Sequence, residues 1–167
     1  MNRTFAQLLL GSPRTIAGTV YGTIVVLAAL AGGGSAFEHR PWELVTVVIV
    51  TSVVFWIAHV YSHGLGESIA LGHRLDILEL SAIARRELSI LLAVVLPAFA
   101  LVLGAVGLIG DRAAVWLAVG VAVATLTAQG VRYARVEKLG RVGTALAIAV
   151  NLALGLAIVA LKVAIGH

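Results

Sequence analysis

Leu44-Val-Thr-Val-Val-Ile-Val-Thr-Ser-Val-Val-Phe-Trp-Ile-Ala-His-Val-Tyr-Ser-His-Gly-Leu-Gly66 runs for 23 residues without a charge. As a helix rising about 1.5 Å per residue, such a run crosses the ~30 Å hydrocarbon core of a bilayer. Four more stretches share the property: residues 15–37, 88–110, 113–131 and 142–161. A crossing needs about 20 residues, so all five qualify. The chain reads as an all-α polytopic membrane protein, one domain over 1–167. It is expected to be a bundle of five transmembrane helices at about 15–36, 42–64, 88–109, 112–135 and 142–165.

Composition agrees. Of 167 residues, 60% are hydrophobic and 12% charged, with a mean hydropathy of +1.05. Soluble domains carry about 25% charged residues. Cysteine is absent, which excludes disulfides, thiolate metal ligands and iron–sulfur clusters. The pI near 10.1 does not indicate nucleic acid, because the basic residues sit at the ends of the apolar runs and form no separate patch. Their distribution sets orientation instead. Five crossings put Arg3, Arg14, Arg74, Arg85, Arg86, Arg132, Arg135, Lys138 and Arg141 on one side, and Arg40, Arg112 and Lys162 on the other. Nine against three is a positive-inside bias, placing the N-terminus in the cytoplasm and the C-terminus outside.

The end of the quoted run carries the densest chemistry. His59 and His63 are followed by Glu67, each four residues apart, a spacing that sets side chains along one helical face. Two imidazoles and a carboxylate suit a divalent transition metal or a proton relay. The metalloprotease motif H-E-x-x-H is not present, since Val60 stands where its glutamate would be. A plainer account makes Phe55, Trp56, Tyr61 and the histidines interfacial anchors favoured by the helix C-terminus. Gly64 and Gly66 are expected to break the second span, which would leave Glu67 beyond it. No cofactor is expected; the alternative is a divalent metal on His59 and His63. A bis-histidine haem would need imidazoles on facing helices, and hydrolytic chemistry lacks a nucleophile and base, so no catalytic residue is assigned.

Around this centre the other elements follow. Residues 1–14 read as a short cytoplasmic leader and 15–36 as a retained first helix, the apolar run exceeding the 7–15 residues of a signal h-region. Thr15, Thr19 and Thr23 recur at spacing four, with Gly18 and Gly22 on a neighbouring face. Such residues permit close approach and hydroxyl bonds across helices. Pro41 suits a first helical turn and Trp42 an aromatic belt. Leu71, Leu75, Leu78 and Ala82 keep helical spacing among charges, predicting an amphipathic cytoplasmic helix at about 74–87. Pro97 should kink the third span. Gly110-Asp-Arg112 is a minimal loop, so the third and fourth spans form an antiparallel hairpin. In the fourth, Gly120 and Ala124 form a small pair, and Arg132 and Arg135 reach the interface beside Tyr133. Thr19, Gln129 and Asn151 are polar groups expected at helix contacts, Asn151 with Gly155 four residues on. Lys162 can snorkel outward, and His167 carries no signal.

Gly18-Thr-Val-Tyr-Gly-Thr23, Trp56-Ile-Ala-His-Val-Tyr-Ser-His63, Ala84-Arg-Arg-Glu87, Gly130-Val-Arg-Tyr-Ala-Arg135 and Asn151-Leu-Ala-Leu-Gly155 together resemble a group of small actinobacterial integral membrane proteins without an established activity. The resemblance implies a bacterial inner-membrane location and transfers no functional residue. The residues themselves suggest an oligomeric channel or transporter. Its cytoplasmic mouth would hold His59, His63 and Glu67, with Arg132 and Tyr133 nearby. Its partners would be the bilayer and further copies of itself. The rival is an accessory subunit assembled with another membrane protein, and the third reading is a membrane metal-binding protein or enzyme.

Overall fold

The structure is a computed structural model that describes residues 15–33, 37 and 40–165. Among the described residues the chain is helical and has no strand. The helices are α1 (Ile16–Gly33), α2 (Pro41–Leu71), α3 (Ile77–Arg86), α4 (Ser89–Ala105), α5 (Asp111–Val136) and α6 (Arg141–Ile165). A helix satisfies its own backbone, so uncharged apolar runs of this length can cross lipid only in that form or as a closed barrel. By length and composition α1, α2, α5 and α6 are each fit to cross a membrane. α3 and α4 pass together as a pair bent by 43°. The leader at 1–14, residues Glu38 and His39, the Lys162 side chain and His167 lie outside the described residues.

The second span departs from its expected end. α2 continues through Gly64 and Gly66 and stops at Gly72, whose φ of 70° is the left-handed conformation glycine adopts at little cost. Gly64 is a notch under the neighbouring helix. A Cβ there would lie 3.3 Å from Leu80 Cδ1 and 3.7 Å from Leu75 Cδ1. Packing of α3 onto that notch outweighs the roughly 1 kcal/mol that a glycine costs a helix interior. α3 then starts at an Asp76–Glu79 capping box. The Asp76 carboxylate accepts the Glu79 N–H at 2.7 Å, and the Glu79 carboxylate accepts the Asp76 N–H at 2.8 Å. Ile83 is its buried residue, and Trp56 Nε1 donates to the Ala84 carbonyl at 3.3 Å, tying α3 to α2.

The bundle is arranged about α1. α2, α4, α5 and α6 follow one another side by side in an arc, and α1 packs against all four. Half of the apolar stretch of α1 is buried, against 22% of that of α2 and 6% of that of α6. The core lies where α1, α2, α4 and α5 converge and is filled by Val26, Leu27, Leu30, Leu44, Val48, Leu101, Ala118 and Leu126. Close approach comes from glycine. A Cβ at Gly22 would run into the Ile90 carbonyl of α4, and one at Gly130 would sit 2.9 Å from the Ala147 carbonyl of α6. Gly120, read as a packing residue, faces open space.

The buried hydroxyls do not bridge helices as expected. Thr19 donates to the Thr15 carbonyl at 3.1 Å, Thr23 to the Thr19 carbonyl at 2.7 Å and Ser52 to the Val48 carbonyl at 2.8 Å. Each finds an acceptor one turn back in its own helix, which requires no partner side chain. Asn151 faces α5 at Gly130, yet its amide donates to its own Ala147 carbonyl at 2.9 Å.

Candidate functional site

α2 sets His59 and His63 one turn apart, with ring centroids at 4.4 Å. α1 brings Tyr21 against His59, with centroids at 5.0 Å. The junction between α3 and α4 then delivers Glu87, whose Oε2 lies 3.4 Å from His59 Nε2. His63 Nδ1 lies 3.3 Å from the His59 carbonyl. In the tautomer that donates this bond, Nε2 keeps a free lone pair. His59, His63 and Glu87 each offer one ligand atom, and these atoms lie within 4.8 Å of one another. His63 is exposed, while His59 and Glu87 are half-buried.

These side chains line an open cleft of about 450 Å³ between α1, α2 and the α3–α4 junction. Gly18 and Ser89 line its inner part. A Cβ at Gly18 would collide with Ser89 Oγ, so glycine keeps the two helices close there. Ser89 is 4% exposed, and its hydroxyl has no hydrogen-bond partner among the described residues. A buried hydroxyl left in that state costs about 1–3 kcal/mol.

Glu67 does not join the histidines. Its Oε1 accepts from Arg86 Nη2 at 2.8 Å. Each four-residue step on a helix overshoots a full turn by about 40°, so after two steps Glu67 has swung about 80° from His59. That rotation points it at α3, where Arg86 waits. Arg86 lies in the charged connection outside the apolar runs. The Glu67 hydrogen bond holds its proton more tightly than in a free guanidinium, against a smaller opposing effect of partial burial. Arg86 Nε also reaches Glu87 Oε1 at 3.4 Å, a much longer contact.

The remaining candidates lie elsewhere. Arg132 and Tyr133, on α5, are not among the residues lining the cleft, because α5 forms none of its walls. Gln129 is fully buried inside the bundle and Thr19 nearly so. A further imidazole, His73, sits in the α2–α3 connection with its Nδ1 2.9 Å from the Arg74 carbonyl. Sequence reasoning missed Glu87 as a partner of the histidines because 24 residues separate it from His63. The available signal was its place at the foot of the next apolar run, immediately before residues 88–110.

The arrangement can bind a cation. It presents two imidazole nitrogens and a carboxylate beside the Arg86 guanidinium, which Glu67 holds at 2.8 Å and which also touches Glu87 at 3.4 Å. No family model, no curated protein and no solved structure matches the chain.

Proposed function

We propose that the chain is a small multi-pass protein of the bacterial inner membrane that transports a cation taken up at the cleft of His59, His63 and Glu87. One observation carries the reading: the paired histidines of α2, Glu87 of the α3–α4 junction and Tyr21 of α1 converge on an open cleft at the edge of an apolar bundle. The length of α2 supports a boundary position. Its 31 residues measure about 46 Å, and the ~30 Å hydrocarbon core uses only about the first 20. That leaves His59 near the boundary and His63 beyond it. The basic residues of the α2–α4 and α5–α6 connections make this the cytoplasmic side. Among the described residues the apolar core between α1, α2, α4 and α5 leaves no polar route through one chain, so the transport reading places the route across the outer half between copies. Purified protein in vesicles should pass protons or divalent cations above protein-free vesicles, and His63→Ala should abolish the excess. No flux of any cation in either direction refutes the reading.

The filled core, with the largely unburied α6, also favours a second reading: an accessory subunit that covers part of a larger membrane complex and moves nothing itself. Purification in mild detergent separates the two. A stable homo-oligomer supports transport, and recovery only with a larger partner supports the accessory role.

A further inference from the structure

The geometry points to a transition-metal site of the zinc class, built from His59, His63 and Glu87, as the cation-binding element of the cleft. The inference rests on the cation reading for its place in the molecule, and it is measured at equilibrium without flux, so either can fail alone. Two imidazoles with one carboxylate form the nitrogen-rich set that zinc and its neighbours accept, whereas calcium and magnesium take oxygen ligands. Three protein ligands leave a fourth position of a tetrahedral ion open to the cleft. Ligand atoms about 2.0 Å from a tetrahedral zinc stand about 3.3 Å apart. The candidate atoms lie within 4.8 Å of one another, so closing on an ion must draw them nearer together.

Three further observations fit an ion there. The contact of His63 Nδ1 with the His59 carbonyl orients that ring with Nε2 available, the usual outer support of a metal-bound histidine. Ser89 lines the same cleft and is buried, its hydroxyl without a hydrogen-bond partner among the described residues, which leaves an unsatisfied polar group beside the histidines. Glu67 binds Arg86 at 2.8 Å, while Arg86 reaches Glu87 only at 3.4 Å. Arg86 lines the cleft and touches both carboxylates, and the shorter bond to Glu67 weakens its competition for Glu87. Glu67 acts as a positioning residue, and Glu87 is the ligand.

The test uses the full chain in detergent, purified without a polyhistidine tag and freed of metal. Zinc titration should give one ion per chain, and cobalt(II) should give the intense visible bands of a tetrahedral site. Loss of an outer-shell partner costs metal sites about 10–100-fold in affinity, so His63→Ala and Glu87→Gln, which remove ligands, should each cost at least about tenfold. His63 is exposed, so its variant tests the site without disturbing the core. Glu67→Gln alone should weaken binding by freeing Arg86, and the double variant Glu67→Gln/Arg86→Gln should recover it. Absence of stoichiometric zinc in the unmodified chain overturns the inference. So does unchanged affinity in Glu87→Gln, which would leave His59–Glu87 a simple ion pair. Failure of the double variant to recover overturns the division of roles by making Glu67 a ligand. Zinc binding without flux retains the site and removes transport; flux without zinc binding does the reverse.

Discussion

At Gly22 a single hydrogen separates two helices. An added Cβ would meet the Ile90 carbonyl, with the Ile90 Cα at 2.8 Å, and neither is a flexible side-chain end that could turn aside. Gly22→Ala should therefore force α1 away from α4 and cost about 1–3 kcal/mol, the range for overpacking a filled interior. Gly120→Ala meets open space and removes a glycine from a helix interior, so it should leave stability unchanged or raise it by up to about 1 kcal/mol. Thermal unfolding of both variants in the same detergent measures the difference, and equal losses would show that α1 and α4 do not touch at this glycine. The spacing of Gly18 and Gly22 announced a close contact in the sequence. Which helix would fill it was not legible, because small residues license an approach without naming the partner. Gly120 shows the limit of the same signal, its spacing to Ala124 being equal and its surroundings empty.

At the scale of elements, the uncharged runs predicted where helices lie, because burying backbone groups in lipid leaves the chain few alternatives. Their ends were less legible, for reasons particular to α2 and α3. Glycine near the end of an apolar run is ambiguous between a stop and a notch. Gly64 is a notch for Leu80, and Gly72, with its positive φ, is the stop. The resulting two turns beyond Gly64 carry Glu67 to Arg86, so the carboxylate beside His59 is Glu87 and not Glu67. The start of α3 was legible in principle from Asp76-Ile-Leu-Glu79, a capping-box spacing ahead of an apolar-periodic segment. Asp76→Ala removes one half of that box and should destabilise α3 by about 1 kcal/mol. Hydrogen exchange should quicken across 77–86 and stay unchanged in α5. Protection of α3 that survived the substitution would mean that Trp56, Ile83 and the Gly64 notch hold the helix without its cap.

For the whole molecule, the deciding question is whether α4 crosses. It has 17 residues, about 26 Å of helix, which is short for a span on its own. α3 precedes it across a 43° bend that also fits a segment turning back within the membrane. Packing favours crossing. α4 lies against α5, its Ala100 and Leu101 joining Val115, Ala118 and Val119 in one core, and a five-residue connection turns the chain between them. Charge gives an independent criterion. With α4 crossing, nine basic residues fall on one side of the membrane and three on the other. If α4 turns back, Arg132, Arg135, Lys138 and Arg141 move outside with Arg40, while Arg112 and Lys162 move in, and the division becomes seven against five. A bias of nine to three is the kind that orients a membrane protein, whereas seven to five orients almost nothing. Reporter fusions should accordingly find the α5–α6 connection, after Lys138, in the cytoplasm, and a fusion following α6 outside. A turned-back α4 reverses both results together. Alkaline phosphatase active after Lys138 and inactive at the C-terminal end would leave four crossings, and His59, His63 and Glu87 would then share their side of the membrane with Asp111 and Arg112.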